Sequence, residues 1–576
     1  MTIGRMHFMT RTAARRQGAA RPRRPYLLAS AILFSAGVVG LPGAAQAQGQ
    51  APVPPQARAS ASAGAGPGAV APLKPCRLQG VEHEVRCGVV QRPLDPQRPE
   101  GTKIDVHFAV LPALARHKKE DPVFFFAGGP GQSAMSLAGM LARPLARLGN
   151  RRDVVLIDQR GTGRSAPLRC PEVPPAQPLR DLADTAAQAA RLNECRAALE
   201  KLPHGDLRHY TTTIAMADVE AVRQALGAPQ VNLVGASYGT RAALEYMRQF
   251  PQAVRRVVLD GVAPPDMVLP ASLSTDAQAV LEALFAACEA DQGSTRAATA
   301  TAAAPNAAAN AASGVAGKTP PRPALPACAA HYPQLRAQWA ALLKSLPREV
   351  TVLHPYTGRE EKLTLTREAV TALVRPPLYA PVMASALPLA IAEAAQGRFT
   401  PLLGLSSALA GGNARALQLA EGMHFSVICS EDMPRLRAGA SADRPGADFG
   451  EDFAALYRRV CEGWPQGEVP PAFYQVPAAK SPVLLLSGGL DPVTPPRHGQ
   501  RVAQALGAKA RHDVMRHAGH GVMLQGCMRD VVFRFIDAAE DAQALLVDAD
   551  CAVLAPRPPV FVPPGRTSPV SKEARP

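Results

Sequence analysis

The chain has 576 residues and a formal net charge of +16, long enough for a sizeable core with additions. Residues 1–47 hold seven arginines and no acid for +7, residues 48–74 add +2 and residues 557–576 add +3, which leaves +4 for residues 75–556. The basicity thus sits outside the body of the chain, and no nucleic-acid partner is indicated.

Residues 1–47 read as a secretory signal: arginines, the apolar run Tyr26–Gly40, then Ala45-Gln46-Ala47, with cleavage expected after Ala47. The stretch Arg23-Arg24-Pro25-Tyr26-Leu27-Leu28 resembles a twin-arginine signal. The apolar run is short for a membrane span, and no cysteine follows it to carry a lipid, so no stable membrane anchor is expected. The mature protein is placed in the periplasm or outside the cell. All ten cysteines fall after residue 47, an even count that favours disulfides over metal ligation in an exported protein. Nearest-neighbour pairing (76–87, 170–195, 288–328, 429–461 and 527–551) is the simplest arrangement.

Residues 48–74 form an Ala/Pro/Gly-rich linker. Val81–Val90 and Ile104–Leu111 then read as strands that begin like a hairpin. Pro122–Phe126 and Asp153–Ile157 are buried apolar runs that end in Ala127-Gly128-Gly129-Pro130-Gly131 and Asp158-Gln159-Arg160-Gly161-Thr162-Gly163-Arg164-Ser165. A helical stretch, Thr213–Leu226, precedes the apolar Val231–Val234, and Val254–Leu259 is a further strand. Apolar strands alternating with helices predict a mostly parallel sheet covered on both faces. Residues 266–478 read as a mainly helical insertion, interrupted by a low-complexity loop at 294–326 that is expected to be a disordered surface loop. Pro482–Ser487 returns to a buried strand, residues 512–515 suit a last strand, and Val531–Val547 looks helical. The pattern is one core, residues 75–265 and 479–556, with an inserted cap and a Pro-rich tail at 557–576.

Chemistry concentrates at Gly235-Ala236-Ser237-Tyr238-Gly239, a Gly-x-Ser-x-Gly turn between strand and helix. Such a turn strains the serine backbone and lifts its hydroxyl above the sheet edge. A serine needs a histidine to take its proton and an acid to orient that histidine. Asp491, directly after a strand, and His520, between Gly519 and Gly521, supply them at loops after strands, in the order Ser, Asp, His that is found in α/β-hydrolases. Asp260 is the competing acid and His517 the competing base, with His498 and His512 also nearby. The backbone N–H of Tyr238 and that of Gly129 are the expected oxyanion donors. No metal or organic cofactor is expected.

The segments Gly128–Gly131, Asp158–Ser165, Gly235–Thr240, Val258–Gly261 and Leu490–Pro495, in this order, resemble the secreted prolyl and tripeptidyl aminopeptidases of the α/β-hydrolase superfamily. The resemblance implies an α/β-hydrolase fold with a large, mainly helical cap. It also implies a Ser237, Asp491, His520 triad acting on short peptides with a free N-terminus. Proline-releasing relatives carry His before Gly-Gly-Pro-Gly, where this chain has Ala127. The substrate ammonium calls for a carboxylate, and Ile428-Cys429-Ser430-Glu431-Asp432 resembles the Cys-x-acid stretch of the tripeptidyl group, so Glu431 and then Asp432 are the expected substrate-binding acids. An esterase or thioesterase using the same triad is the alternative. A non-catalytic envelope binding protein on a hydrolase scaffold is a third reading, which an intact Ser, Asp, His set and glycine loop disfavour.

Overall fold

The computed structural model describes residues 72–301, 328–411, 418–439 and 443–564, with side chains left aside at 291–301 and 409–411. The expected signal, most of the linker, most of the low-complexity loop and the end of the tail lie outside these residues.

Eleven strands are described: β1 Lys74–Cys76, β2 Val85–Pro93, β3 Lys103–Leu111, β4 Val123–Phe126, β5 Val154–Ile157, β6 Val231–Ala236, β7 Val254–Asp260, β8 Arg348–Leu353, β9 Glu360–Leu365, β10 Val483–Gly488 and β11 Ala510–Met515. Nine of them form one sheet in the order β1-β2-β3-β5-β4-β6-β7-β10-β11. The first strands pair antiparallel through β3 against β5, and every pair from β5 to β11 is parallel. The helices used below are α1 Thr185–Leu199, α2 Thr212–Ala225, α3 Tyr238–Gln249, α4 Leu269–Thr301, α5 Arg367–Leu378, α6 Glu421–Glu431, α7 Asp452–Glu462, α8 Pro496–Leu506 and α9 Met528–Asp537.

The central parallel strands β4 and β5 are wholly apolar, and β6, β7 and β10 mostly so, because both sheet faces are covered there, whereas β11 at the sheet edge is largely polar. Phe124, Phe126, Val155, Ile157, Leu233, Val257 and Leu485 point into one core cluster, while Phe125, Val154, Leu156, Val234, Val258, Leu484 and Leu486 point into another. This is strand alternation with an apolar residue on each side. A third cluster, which includes Trp339 and Phe399, draws on the helices and the β8–β9 pair of the long excursion and takes in Leu179 from before it.

The excursion is mainly helical and also carries β8 and β9, a separate antiparallel pair whose alternating burial marks strands with one face wet. Part of it packs on the sheet. From Ala420 to Trp464, α6 and α7 contribute Met423, Phe425, Ile428, Tyr457 and Val460 to the same cluster as β4, β6 and β7. The backbone of residues 294–301 continues α4 rather than a loop.

All ten cysteines are paired as nearest neighbours. The start of the expected tail is held against the helical region, Phe561 N–H donating to Ser385 O at 3.0 Å and Tyr332 Oη to Phe561 O at 2.7 Å.

The strand order places a switch between β4 and β6. The chain leaves β4 for β5 on one side and returns as β6 on the other, so their carboxyl ends open a crevice. Phe126 of β4 is in register with Gly235 of β6, and Ala236 with Asp260 of β7, so the loops that follow emerge side by side. Leu485 is wholly buried in the β10 strand that joins the two parts of the sheet. Leu485→Ala is expected to lower the free energy of unfolding by about 2–5 kcal/mol in urea titrations of the oxidised protein.

Candidate active site

Ser237 joins β6 to α3 with φ 56° and ψ −124°, a conformation that costs a residue other than glycine about 1–3 kcal/mol. Its surroundings over-determine it. A Cβ on Gly235 would fall 2.4 Å from Gly239 O, and one on Gly239 would fall 2.1 Å from Phe126 O, so only glycine lets helix and strands approach this closely. The Ser237 N–H donates to Asp260 O at 2.9 Å, and the Ser237 carbonyl accepts from the Thr240 N–H at 2.9 Å and the Thr240 hydroxyl at 2.6 Å. Among the described residues the Ser237 hydroxyl makes no hydrogen bond, which leaves it available in the crevice.

After β10 the chain turns through Gly489 and Leu490 to Asp491, which is fully buried. Its Oδ1 accepts the Val493 and Thr494 N–H groups, both at 2.9 Å, and its Oδ2 accepts the Thr494 hydroxyl at 2.8 Å and His520 Nδ1 at 2.9 Å. Burial pushes the Asp491 carboxyl up, but His520 and the hydrogen bonds outweigh it, and the group stays ionised below the usual carboxylate value. Burial pulls His520 down, yet the Asp491 charge and hydrogen bond prevail and raise its pKa above the ordinary 6.5. The His520 N–H donates to Tyr379 O at 2.9 Å, and the Tyr379 ring stands edge-on at 5.4 Å. A Cβ on Gly261, just after β7, would lie 3.3 Å from His520 Cε1, which places the imidazole at the carboxyl end of β7, the strand whose Asp260 is in register with Ala236.

The competitors are placed elsewhere. The Asp260 carboxylate accepts the N–H groups of Val522 (2.8 and 3.0 Å) and Met523 (3.0 Å), so it fixes the loop after His520 instead of orienting the ring. Burial pushes its pKa up to about 6. His517 Nδ1 donates to Ala555 O, His512 bonds Ser487 Oγ, and His498 bonds Asp276.

The glycine loop after β4 abuts the serine, since a Cβ on Gly128 would stand 3.2 Å from Ser237 Cβ. Gly129 follows with φ 112°. Tyr238 opens α3, where main-chain N–H groups are free and the helix dipole is positive. Two groups to which the sequence pattern gives no role brace this region. Asp158 accepts the Ser133 hydroxyl at 2.6 Å and the N–H groups of Met135 and Arg164, both at 3.1 Å. Arg160 forks onto Asp218 of α2 at 2.7 and 2.9 Å, both side chains buried. Their signal was the Asp158–Ser165 motif, which carries polar groups straight after an apolar strand.

Glu431 and Asp432, the expected substrate-binding acids, are engaged by groups within the protein. Neither has accessible surface. Arg241 of α3 reaches Asp432 Oδ1 at 2.7 Å and Glu431 Oε2 at 3.5 Å, while the Thr212 N–H donates to Glu431 at 2.7 Å and the Leu269 N–H to Asp432 at 3.2 Å. Burial pushes Glu431 up to about 7 despite the guanidinium. The apolar residues Met423, Phe425 and Ile428 of α6 pack in the same cluster as the sheet, and the acids at its end meet Arg241 of the serine helix.

Comparison with known proteins agrees with this architecture. A family model described as the alpha/beta hydrolase fold matches residues 121–305, and one described as TAP-like protein matches residues 447–545. The tripeptidyl aminopeptidase of Streptomyces lividans is 31% identical over 192 residues, 31% of this chain and 36% of that protein. Serine protease Hip1 of Mycobacterium tuberculosis is 30% identical over 208 residues, 33% of this chain and 39% of that protein. Proline iminopeptidase of Neisseria meningitidis is 29% identical over 142 residues, 24% of this chain and 32% of that protein. The aligned stretches thus span about a third of each relative. A solved proline iminopeptidase-related protein from Thermus thermophilus is 17% identical over 80% of this chain and 99% of that one, with a TM-score of 0.34, too low to add to the fold assignment. Strand order, the β6–Ser237–α3 turn and the first match agree on an α/β-hydrolase fold, with residues 447–545 similar to TAP-like proteins and about a third of the chain similar to serine peptidases.

Proposed function

We propose that this chain is an exported serine exopeptidase that hydrolyses peptide bonds near the free N-terminus of short peptides. The observation that carries the reading is the 2.9 Å contact of His520 Nδ1 with buried Asp491, at a strand end beside the strained Ser237. In this reading a carboxylate on Nδ1 places the lone pair on Nε2, the atom needed to take the serine proton. Ser237 Oγ attacks the carbonyl carbon, its proton passes to His520, and the oxyanion is met by the N–H groups of Tyr238 and Gly129. His520 then protonates the departing amine, and water, activated by the same imidazole, releases the acyl group.

The free N-terminus comes from the resemblance to tripeptidyl aminopeptidases, and export is supported by the five disulfides. Cleavage after Ala47 and delivery to the periplasm or beyond belong to the same proposal, as does the division into a core and an inserted cap. No described helix is long and apolar enough to cross a membrane. One observation favours the esterase alternative: Arg241 already occupies the two acids expected to hold the ammonium.

A short peptide anilide, offered with its N-terminus free and then acetylated, separates the two. The exopeptidase turns over only the free form, and Ser237→Ala loses about 10⁴- to 10⁶-fold in kcat while keeping the wild-type circular dichroism. Equal turnover of both forms moves the assignment to esterase or endopeptidase, and substantial activity in the alanine variant removes Ser237 as nucleophile. The base must be neutral to act. Because Asp491 raises its pKa, kcat/KM is expected to fall with decreasing pH through a midpoint above 6.5. Asp491→Ala should move that midpoint down and reduce kcat by about 10⁴-fold, as loss of tautomer control does; an unmoved acid limb would assign it to another group.

A further inference from the structure

The glycine loop expected to supply one oxyanion donor is not held by the sheet alone. Residues 419–424, at the start of α6, grip it from outside. Gln132 and Leu419 form an isolated β-bridge, and the Ala420 N–H donates to Gly131 O at 2.9 Å. One residue back, the Pro130 carbonyl lies 3.0 Å from His424 Nδ1. Two consecutive carbonyls of the loop are therefore tied to one short segment. A Cβ on Gly129 would already stand 3.1 Å from Leu419 Cδ2, so the loop has little room to re-form if released.

His424 is buried, and its second nitrogen, Nε2, sits 2.7 Å from the hydroxyl of Tyr457 on α7. A carbonyl oxygen can only accept, so Nδ1 carries the proton. Nε2 is then the acceptor and the Tyr457 hydroxyl the donor. Burial keeps the ring pKa below the ordinary imidazole value, so one neutral tautomer satisfies both contacts. The partner is itself well placed: Tyr457 packs against Phe425 and Phe453 at ring separations of 5.2 and 4.8 Å, and the Cys429–Cys461 disulfide joins α6 to α7. Among the described residues, no hydrogen bond joins His424 or Tyr457 to Ser237, Asp491 or His520.

We propose that His424 is a positioning residue for the oxyanion loop: as the Nδ1–H tautomer fixed by Tyr457, it holds the Pro130 carbonyl and thereby aims the Gly129 N–H at the developing oxyanion. The inference rests on Ser237 being the nucleophile. An oxyanion donor is effective only if it is aimed before the charge forms, so slackening this anchor should act on the transition state and little on ground-state binding.

The test uses a small fluorophosphonate on the full oxidised protein. Ser237 Oγ forms a bond to phosphorus, fluoride leaves with the P–F electron pair, and the serine proton passes to His520; the phosphoryl oxygen lies where the oxyanion would, and no peptide specificity is required. Labelling rates are read by mass spectrometry for wild type, Ser237→Ala, His424→Ala, His424→Asn and Tyr457→Phe. The asparagine amide can place an N–H where Nδ1 stood. His424→Ala is expected to slow labelling about 10- to 100-fold, less than the roughly 10²- to 10³-fold for deleting an oxyanion donor itself. Tyr457→Phe should slow it several-fold, and His424→Asn should return to within about threefold of wild type, although both histidine variants lose thermal stability. On whichever substrate the enzyme turns over, kcat should drop while KM stays within about twofold. If wild type is not labelled, or is labelled equally in Ser237→Ala, the nucleophile reading fails and takes this one with it. If wild type labels at Ser237 and His424→Ala or Tyr457→Phe labels as fast, only the positioning role is overturned. That role is equally overturned if asparagine is as slow as alanine while folded, and should the alanine variant not fold, the asparagine and phenylalanine variants decide the matter.

Discussion

Everything in the crevice depends on one backbone conformation, the positive φ of Ser237. A strand entering a helix in an ordinary turn would carry its side chain into the sheet or along it. Here the chain reverses so sharply that the hydroxyl stands clear while the peptide groups on either side remain bonded, to Asp260 in front and Thr240 behind. The turn holds because β4, β6 and α3 come closer than any side chain would permit, with glycine at positions 235 and 239. The local strain of about 1–3 kcal/mol is set against the apolar burial on both faces of six parallel strands.

Around that turn the molecule uses buried charge for rigidity. Arg241 with Glu431 and Asp432, Arg160 with Asp218, and Asp158 with three donors all lie within elements that frame the crevice. Such groups add little net stability against an apolar alternative of the same shape. Once buried, however, each has few positions that satisfy its hydrogen bonds. The α6 helix gathers several of these ties: Ala420 and His424 hold the glycine loop at its start, Gly422 donates to Leu168 O at 2.9 Å after the Asp158–Ser165 loop, and Glu431 receives Thr212 at its end. The element that carries the expected substrate-binding acids thus also braces the loops of the site.

Much of this was legible in the chain itself. Most of the parallel strands announce themselves as apolar runs because they are covered twice, and the serine and aspartate follow two of these, while the histidine follows the polar edge strand β11. The polar edge strand β1 and the pair β8–β9 were harder to read, since short strands with one wet face look like the loops around them. The last helical stretch also breaks in two, Met528–Asp537 and Asp541–Leu545, where the sequence has apolar periodicity but no glycine or proline to mark the stop.

By itself the sequence determined the αβ alternation, the elbow and the order of the candidate triad, because these depend on local pattern, while the nearest-neighbour cysteine pairs were only its simplest arrangement until the structure joined them. Only the tertiary structure decided which acid meets which base. Asp260 and Asp491 end neighbouring strands alike, and they differ in whether the loop after β11 offers them backbone N–H groups or an imidazole. It likewise decided that Glu431 and Asp432 pair with an arginine some 190 residues earlier. A carboxylate in a sequence carries its charge but not its direction, and direction is set by which helix face the packing turns inward.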